Sequence, residues 1–318
     1  MRTPTPSAKT ARQAQRCLSV GDLQARARRY LPRVIYDYLE GGADDEECLA
    51  ENPARLRRHK LRPRYLVDIS NRSQRVSVFG RDYRAPFGIS PMGMLGMVRQ
   101  GGDLMLARVA AQSGIPFILS GACNASVESV ARDAPGSWLQ FYPCKDLAIE
   151  RDMLARAAGA GIGTLVVAVD VPLHSKRERN IRSGWVRPYK PSAAVILEAL
   201  RHPAWVARYL RHGIPVMENF LPYAPAPISA RALTGFYASQ VPAAHGWPMV
   251  ERLRRQWRGQ LVLKGILAAE DARLAAFGAA GAQRAVDILR GELDLTLGQI
   301  GCPDVRELGP RFLWQAGP

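Results

Sequence analysis

Residues Leu261 to Gln283 read LVLKGILAAEDARLAAFGAAGAQ. Leu261, Val262 and Leu263 form an apolar run with no polar alternation, the pattern of a strand buried on both faces of a parallel sheet. Lys264 ends the run, at the place where a strand of an α/β protein delivers functional groups to a ligand. Gly265 permits a turn. Glu270 to Phe277 then reads as a helix, with Ala272, Leu274 and Ala275 apolar and Gly278 as its stop. The stretch is one βα unit with a cation at the carboxyl end of the strand.

Working outward, four more strand candidates precede it: Pro86–Pro91, Phe117–Gly121, Trp138–Pro143 and Thr164–Asp170. The first three are followed by helical patterns at Asp103–Gln112, Val127–Arg132 and Asp146–Ala158. Such alternation predicts a parallel sheet. Eight units would make a (β/α)8 barrel, and five are legible here. Further upstream, Gly21 to Leu56 has helical spacing, with Ser19 as a cap and Gly41-Gly42 as a stop.

About ninety residues separate Asp170 from Leu261, too many for an ordinary connection. The segment 171–245 reads as a long basic and apolar insertion loop. Within it, 174–212 carries nine Lys/Arg against two Glu, around Val195-Ile196-Leu197 and Trp205-Val206-Ala207. Basic residues beside Trp and branched aliphatics suit an anionic membrane surface; a basic subdomain or dimer contact fits the same residues. Pro222, Pro225 and Pro227 suggest an extended linker.

The chain has 318 residues and 47% hydrophobic content, enough for a barrel-sized core. No run approaches a membrane span, and the N-terminus has no signal-peptide core. Residues 1–18 form a basic arm, and 19–318 the main domain. The net charge of +16 favours anionic partners and carboxylate substrates. With no zinc-finger spacing or RNA-binding aromatic motif, nucleic acid is the weakest partner class and no metal site is expected. Five cysteines without a CxxC suit free thiols in a reducing cytosol.

LVLKGILAAEDA resembles a signature of the FMN-dependent 2-hydroxy acid dehydrogenases and oxidases. The resemblance runs from about Ser19 to the C-terminus, and RHGIPVMENF and GQIGCPDV look most like the mandelate dehydrogenase branch. It implies a TIM barrel, FMN as cofactor, a small L-2-hydroxy acid of mandelate or lactate type as substrate, and a respiratory-chain acceptor at the membrane. It also implies a homo-oligomer for a complete barrel, and a cytoplasmic location, peripheral on the inner face of the cell membrane. Tyr36-Asp37-Tyr38 before Gly41-Gly42 resembles the N-terminal motif, where Tyr38 helps bind the substrate carboxylate. Pro91-Met92-Gly93 resembles the turn that sets backbone amides against the flavin ring; Gly93, often Ala in oxidases, leans towards a dehydrogenase. Ser120, Gln140 and Lys264 match ring contacts, Lys264 placing positive charge by the flavin. Tyr142 and Arg177 match substrate contacts, and Asp170 the carboxylate that pairs with the catalytic histidine. Each residue has a plainer reading taken alone: core packing for Tyr38, rim capping for Ser120 and Gln140, a turn for Asp170, and one more basic charge for Arg177.

The family continues after Gly-Ala-Ala-Gly with a strand ending in Asn-His-Gly-Gly-Arg-Gln. Here Gly278-Ala279-Ala280-Gly281 runs straight into AQRAVDILRGELDLTLGQIGCPDV, which resembles the family's C-terminal helix. The resemblance therefore implies an incomplete barrel lacking roughly 80 to 90 residues, about three βα units. None of His59, His174, His202, His212 or His245 stands in a His-Gly-Gly-Arg context. The expectation is a catalytically inert chain. Two other readings stay open: a non-catalytic remnant keeping membrane or subunit contacts, and a longer chain that lost a block between two Gly-x-Ala-Gly repeats.

Overall fold

The computed structural model describes residues 15–267, apart from 62, 64, 67, 69, 71, 172–174, 186–191, 227–228 and 241–245. The expected helix at Glu270–Phe277 and everything after it lie outside the described residues.

Helix α1 (Val20–Tyr30) starts at the expected cap. Ser19 Oγ accepts from the Asp22 amide at 3.2 Å, and the Asp22 carboxylate accepts from the Ser19 amide at 2.9 Å. This reciprocal box satisfies donors that a helix start leaves open. Leu31-Pro32 breaks the run, α2 (Arg33–Glu40) follows, and Gly41 ends it. After α3 (Glu47–Arg58) comes a hairpin of β1 (Val76–Val78) and β2 (Arg81–Tyr83) that the sequence reading does not mark. Its turn residues Phe79 and Gly80 both have positive φ, 57° and 73°, as a tight hairpin turn requires.

The first expected strand is reduced to one parallel bridge, Ile89 to Phe117. Pro86 and Pro91 bracket it, and proline cannot donate to a ladder. Then follow α4 (Leu95–Val98), α5 (Gly102–Ser113), β3 (Ile118–Leu119), α6 (Val127–Asp133), β4 (Trp138–Phe141), α7 (Leu147–Gly159) and β5 (Thr164–Ala168). The strand β6 (Gln260–Lys264) completes a parallel sheet in the order β3-β4-β5-β6. Sequence order equals spatial order, as in a barrel wall. All five residues of β5 are buried. β6 is only half-buried and its Lys264 is exposed, so the expectation of burial on both faces is corrected. Its apolar residues meet a neighbouring strand on one side alone among the described residues.

The described part of 171–256 is helical rather than an open loop: α8 (Glu178–Arg182), α9 (Ala193–Ala199), α10 (Pro203–His212), a 3-10 turn (Glu218–Tyr223), α11 (Ala230–Gln240) and α12 (Trp247–Gln256). Pro222 sits inside the 3-10 turn, not in an extended linker. The cause is burial. Phe220, Leu233, Tyr237, Met249 and Leu253 enter the core that covers the sheet, and a parallel sheet needs its faces covered. Glu150, fully buried on α7, accepts from Arg252 of α12 at 2.9 and 3.2 Å and from the Cys144 amide at 3.3 Å. A buried carboxylate with this many partners fixes the returning helix, and removing one partner would strand its charge.

Candidate functional site

Parallel strands send their carboxyl ends to one rim. Ser120 follows β3, Gln140 lies in β4, Tyr142 follows it, Asp170 follows β5 and Lys264 closes β6. At this rim is a cleft of about 300 Å³. Tyr38, Pro91, Gly93, Ser120 and Tyr142 line it, five of the residues the sequence reading selects. Met92, between Pro91 and Gly93, points its side chain to solvent and is not in the lining.

Gln140 lies beneath the lining, 2% exposed. Its Oε1 accepts from the Gly121 amide at 3.1 Å and from the Ser120 hydroxyl at 3.3 Å, and Ser120 Oγ in turn accepts from the Ala122 amide at 3.2 Å. The Gly121 amide can only donate, so it orients the Gln140 amide group. Gln140 Nε2 is left buried with no partner among the described residues. A buried donor without an acceptor is costly and uncommon, and it marks a place for a ligand acceptor.

Tyr38 stacks on Trp185 at 4.6 Å, and its hydroxyl lies 3.4 Å from the Gly93 carbonyl. Arg177 places its guanidinium 5.7 Å from the Tyr38 ring centre and donates to the carbonyls of Tyr38 (3.3 Å) and Gly41. The two residues matched to carboxylate binding thus stand together, and Arg177 also closes the carboxyl end of α2. Arg179, two residues on, is taken by Glu46. The structure therefore separates the two arginines that the sequence leaves confusable. Asp170 and Lys264 pair with each other, Oδ2 to Nζ at 2.7 Å. Gly265 makes room for this pair: its φ is +105°, and a Cβ there would stand 2.3 Å from Asp170 Cβ.

The sequence reading misses the opposite wall. Met217, Thr234, Gly235 and Tyr237, from the 3-10 turn and α11, line the cleft. The available signal is the four-residue spacing of Leu233 and Tyr237 behind Ser229, whose Oγ accepts from the Ala232 amide at 3.1 Å. Three segments of the wall are clamped from behind. Asp103 Oδ2 accepts from the amides of Asn124 (3.0 Å) and Ala125 (3.3 Å). Asn124 then accepts from the Gly96 amide at 2.7 Å and donates to the Val216 carbonyl at 3.1 Å. Burial pushes the Asp103 carboxyl up to about 6 against the amide bonds that favour its charge.

None of the described histidines lines the cleft. His202 is bound to the Arg29 carbonyl and to Glu198; His59 and His212 are exposed. His174 and His245 lie outside the described residues. No cluster of metal-ligating side chains occurs among the described residues, which hold four free thiols.

The sequence profile of a family described as FMN-dependent dehydrogenase matches residues 27–276 and again 273–315. The two matches overlap at residues 273–276. The (S)-mandelate dehydrogenase of Pseudomonas putida is 30% identical over 378 residues, covering 96% of this chain and 95% of that protein. That alignment is longer than this chain, so the relative carries residues with no counterpart here. An L-lactate dehydrogenase of Caulobacter sp. (strain K31) is 37% identical over 263 residues, 81% of this chain and 68% of its own. Among solved structures, one described as the monotopic membrane protein (S)-mandelate dehydrogenase matches with a TM-score of 0.79 at 29% identity, covering 94% of this chain and all of that one. A mandelate oxidase matches with a TM-score of 0.65 at 28% identity, over 82% of this chain and 66% of that one.

The residues present fit the ring of a flavin. Ring carbonyls and nitrogens need donors, which Gln140 Nε2 supplies, and Lys264 supplies a cation at the rim.

Proposed function

Since the chain belongs to the FMN-dependent 2-hydroxy acid dehydrogenase family, whose cofactor is FMN, we propose that it is the ring-binding part of an L-2-hydroxy acid dehydrogenase of mandelate or lactate type. In its present form it holds flavin weakly and does not turn over substrate. The unpartnered donor of Gln140 under Ser120, at a cleft shared with Tyr38, Gly93 and Tyr142, carries this reading.

FMN, when bound, supplies the two-electron acceptor. Gln140, Ser120 and Lys264 hold its ring, with Pro91 and Gly93 forming the backbone wall. Tyr38, Tyr142 and Arg177 receive the substrate carboxylate, Arg177 releasing its carbonyls to make a bidentate contact. Oxidation then needs a base to take a proton from substrate, a role commonly worth about 10²–10⁴-fold. Asp170 would orient such a base, and here it holds Lys264 instead. We read the base-bearing segment as lost at Gly281-Ala282, where the family's His-Gly-Gly-Arg stretch would be expected to follow. The test is to add FMN and L-mandelate or L-lactate anaerobically and follow flavin absorbance. Weak binding without bleaching is expected. Rapid bleaching of a tightly yellow protein would overturn the reading and make His245 the first residue to substitute.

The position of the chain in the cell belongs to the same proposal: cytoplasmic, peripheral on the inner membrane face, with electrons of a complete enzyme passing to a membrane acceptor. Residues 174–212 make the contact. On α9 and α10, Ile196, Leu197, Leu200 and Leu210 are exposed beside Arg201, Arg208 and Arg211. No helix among the described residues is long and apolar enough to cross a membrane, so the contact is superficial. Exchanging the four aliphatics for serine should abolish binding to anionic vesicles, and unchanged binding would move the contact elsewhere. Assembly into a homo-oligomer is proposed only for the complete barrel.

A further inference from the structure

Helix α10 is fastened across the α4 turn. Trp205 donates its indole N–H to the Met97 carbonyl at 2.9 Å and stacks on Tyr209 at 4.8 Å. The seam leaves a narrow notch, separate from the cleft, lined by Tyr30, Gly96, Arg99, Trp205, Arg208 and Tyr209. Its volume is about 10 Å³, room for one oxygen-sized group.

The notch is rich in donors and short of acceptors. The partly buried Arg108, Arg156 and Arg252 find acids in Asp133, Glu128 and Glu150, whereas Arg99 and Arg208 are more exposed. Neither Arg99 nor Arg208 pairs with an acid among the described residues. Partial burial, and then the charge of Arg208, hold the Arg99 guanidinium below the ordinary arginine range. The hydroxyl of Tyr30, in the same lining, is buried without a partner among the described residues. Two like charges sharing one lining repel each other, more weakly where water reaches them, and an anion seated between them relieves that repulsion.

We propose that this notch is an anion site that takes a phosphate group, one oxygen entering the notch and the others lying across Arg99 and Arg208. Two guanidinium forks match the charge and spread of phosphate oxygens better than one planar carboxylate. The phosphate has two sources, a free phosphate compound or the headgroup of a lipid under α9 and α10, and both use the same contacts.

The experiment uses the full chain in two arms. Inorganic phosphate is titrated calorimetrically at constant ionic strength, and vesicles of phosphatidylcholine doped with phosphatidylglycerol are co-sedimented with the protein. Arg99→Gln and Arg208→Gln are each expected to weaken phosphate binding about tenfold or more. Arg211→Gln, an exposed charge in the last turn of the same helix, should change it by less than about twofold. Melting curves confirm folding, and Arg208→Lys, which keeps charge without the fork, should fall between. If Arg208→Gln also weakens vesicle binding more than Arg211→Gln does, the source is lipid; if vesicles are indifferent, it is soluble phosphate. Absence of saturable phosphate binding by the unmodified chain, or equal losses in Arg208→Gln and Arg211→Gln, overturns the proposal.

Discussion

Strands β5 and β6 pair over five residues and carry nearly the same apolar text, TLVVA against QLVLK. Every residue of β5 is buried and no residue of β6 is. β5 lies between β4 and β6, whereas β6 has one described neighbour. An apolar run thus shows that a strand can accept burial on both faces. It does not show which strands stand on either side. The contrast reaches the functional rim, because Asp170 follows the enclosed strand, Lys264 ends the open one, and their ion pair bridges them.

The largest test of this contrast is Leu165→Ala against Leu261→Ala. Leu165 is fully buried, and its truncation should cost about 2–5 kcal/mol. Leu261, half-buried, should cost about half as much or less. Equal losses in urea denaturation would mean that β6 is as enclosed in solution as β5.

The opposite end of the sheet offers a pH test. Asp103, behind the loop that follows β3, has its folded carboxyl raised from 3.8 to about 6. The folded state therefore holds this proton more tightly than the unfolded state. The sign follows: stability is highest below about pH 4 for this group and is lost as pH rises towards 6. The loss is on the order of 3 kcal/mol. Asp103→Asn, which keeps an acceptor for the amides of Asn124 and Ala125, should flatten that slope in melts taken between these pH values. An unchanged slope would assign it to other groups.

A smaller effect is expected at Gly265. Alanine there meets a positive φ and the Asp170 side chain, and about 1–3 kcal/mol should be lost. Smaller still is the ion pair itself. Asp170 and Lys264 are 31% and 43% exposed, so a double-mutant cycle with Asp170→Asn and Lys264→Met should give about 0.2–1 kcal/mol in stability. Flavin affinity should fall much further in Lys264→Met than stability does. Equal effects would make Lys264 a structural residue only.

Much of the site was legible in the sequence because its positions are local. Ser120 and Lys264 end apolar runs, Gln140 stands one residue before the end of β4, and parallel order sends such ends to one rim. Ser19 and Gly41 delimit helices through the chemistry of single residues. Tyr38 was readable only through the family motif, since a tyrosine on an amphipathic helix has no distinct local signature. The wall formed by Thr234 and Tyr237 escaped because proline and small residues around α11 imitate a linker; only burial against Phe220, 5.1 Å away ring to ring, shows its face.

By itself the sequence determined the alternation of strand and helix from Pro86 to Ala168, its parallel order, the family and most of the residues at the strand ends. The elements and their order follow from periods of two and 3.6 and from the chemistry of single turns, and the family follows from the resemblance of the motifs. The tertiary structure decided who meets whom. It set Asp170 on Lys264, Arg177 on the carboxyl end of α2, Arg99 beside Arg208, and α11 over the cleft. Such partners lie tens of residues apart, and no local period encodes which side of a returning helix will face the rim. That is settled when buried apolar area and satisfied polar groups across the whole core are traded against each other, which makes it a property of the packed chain.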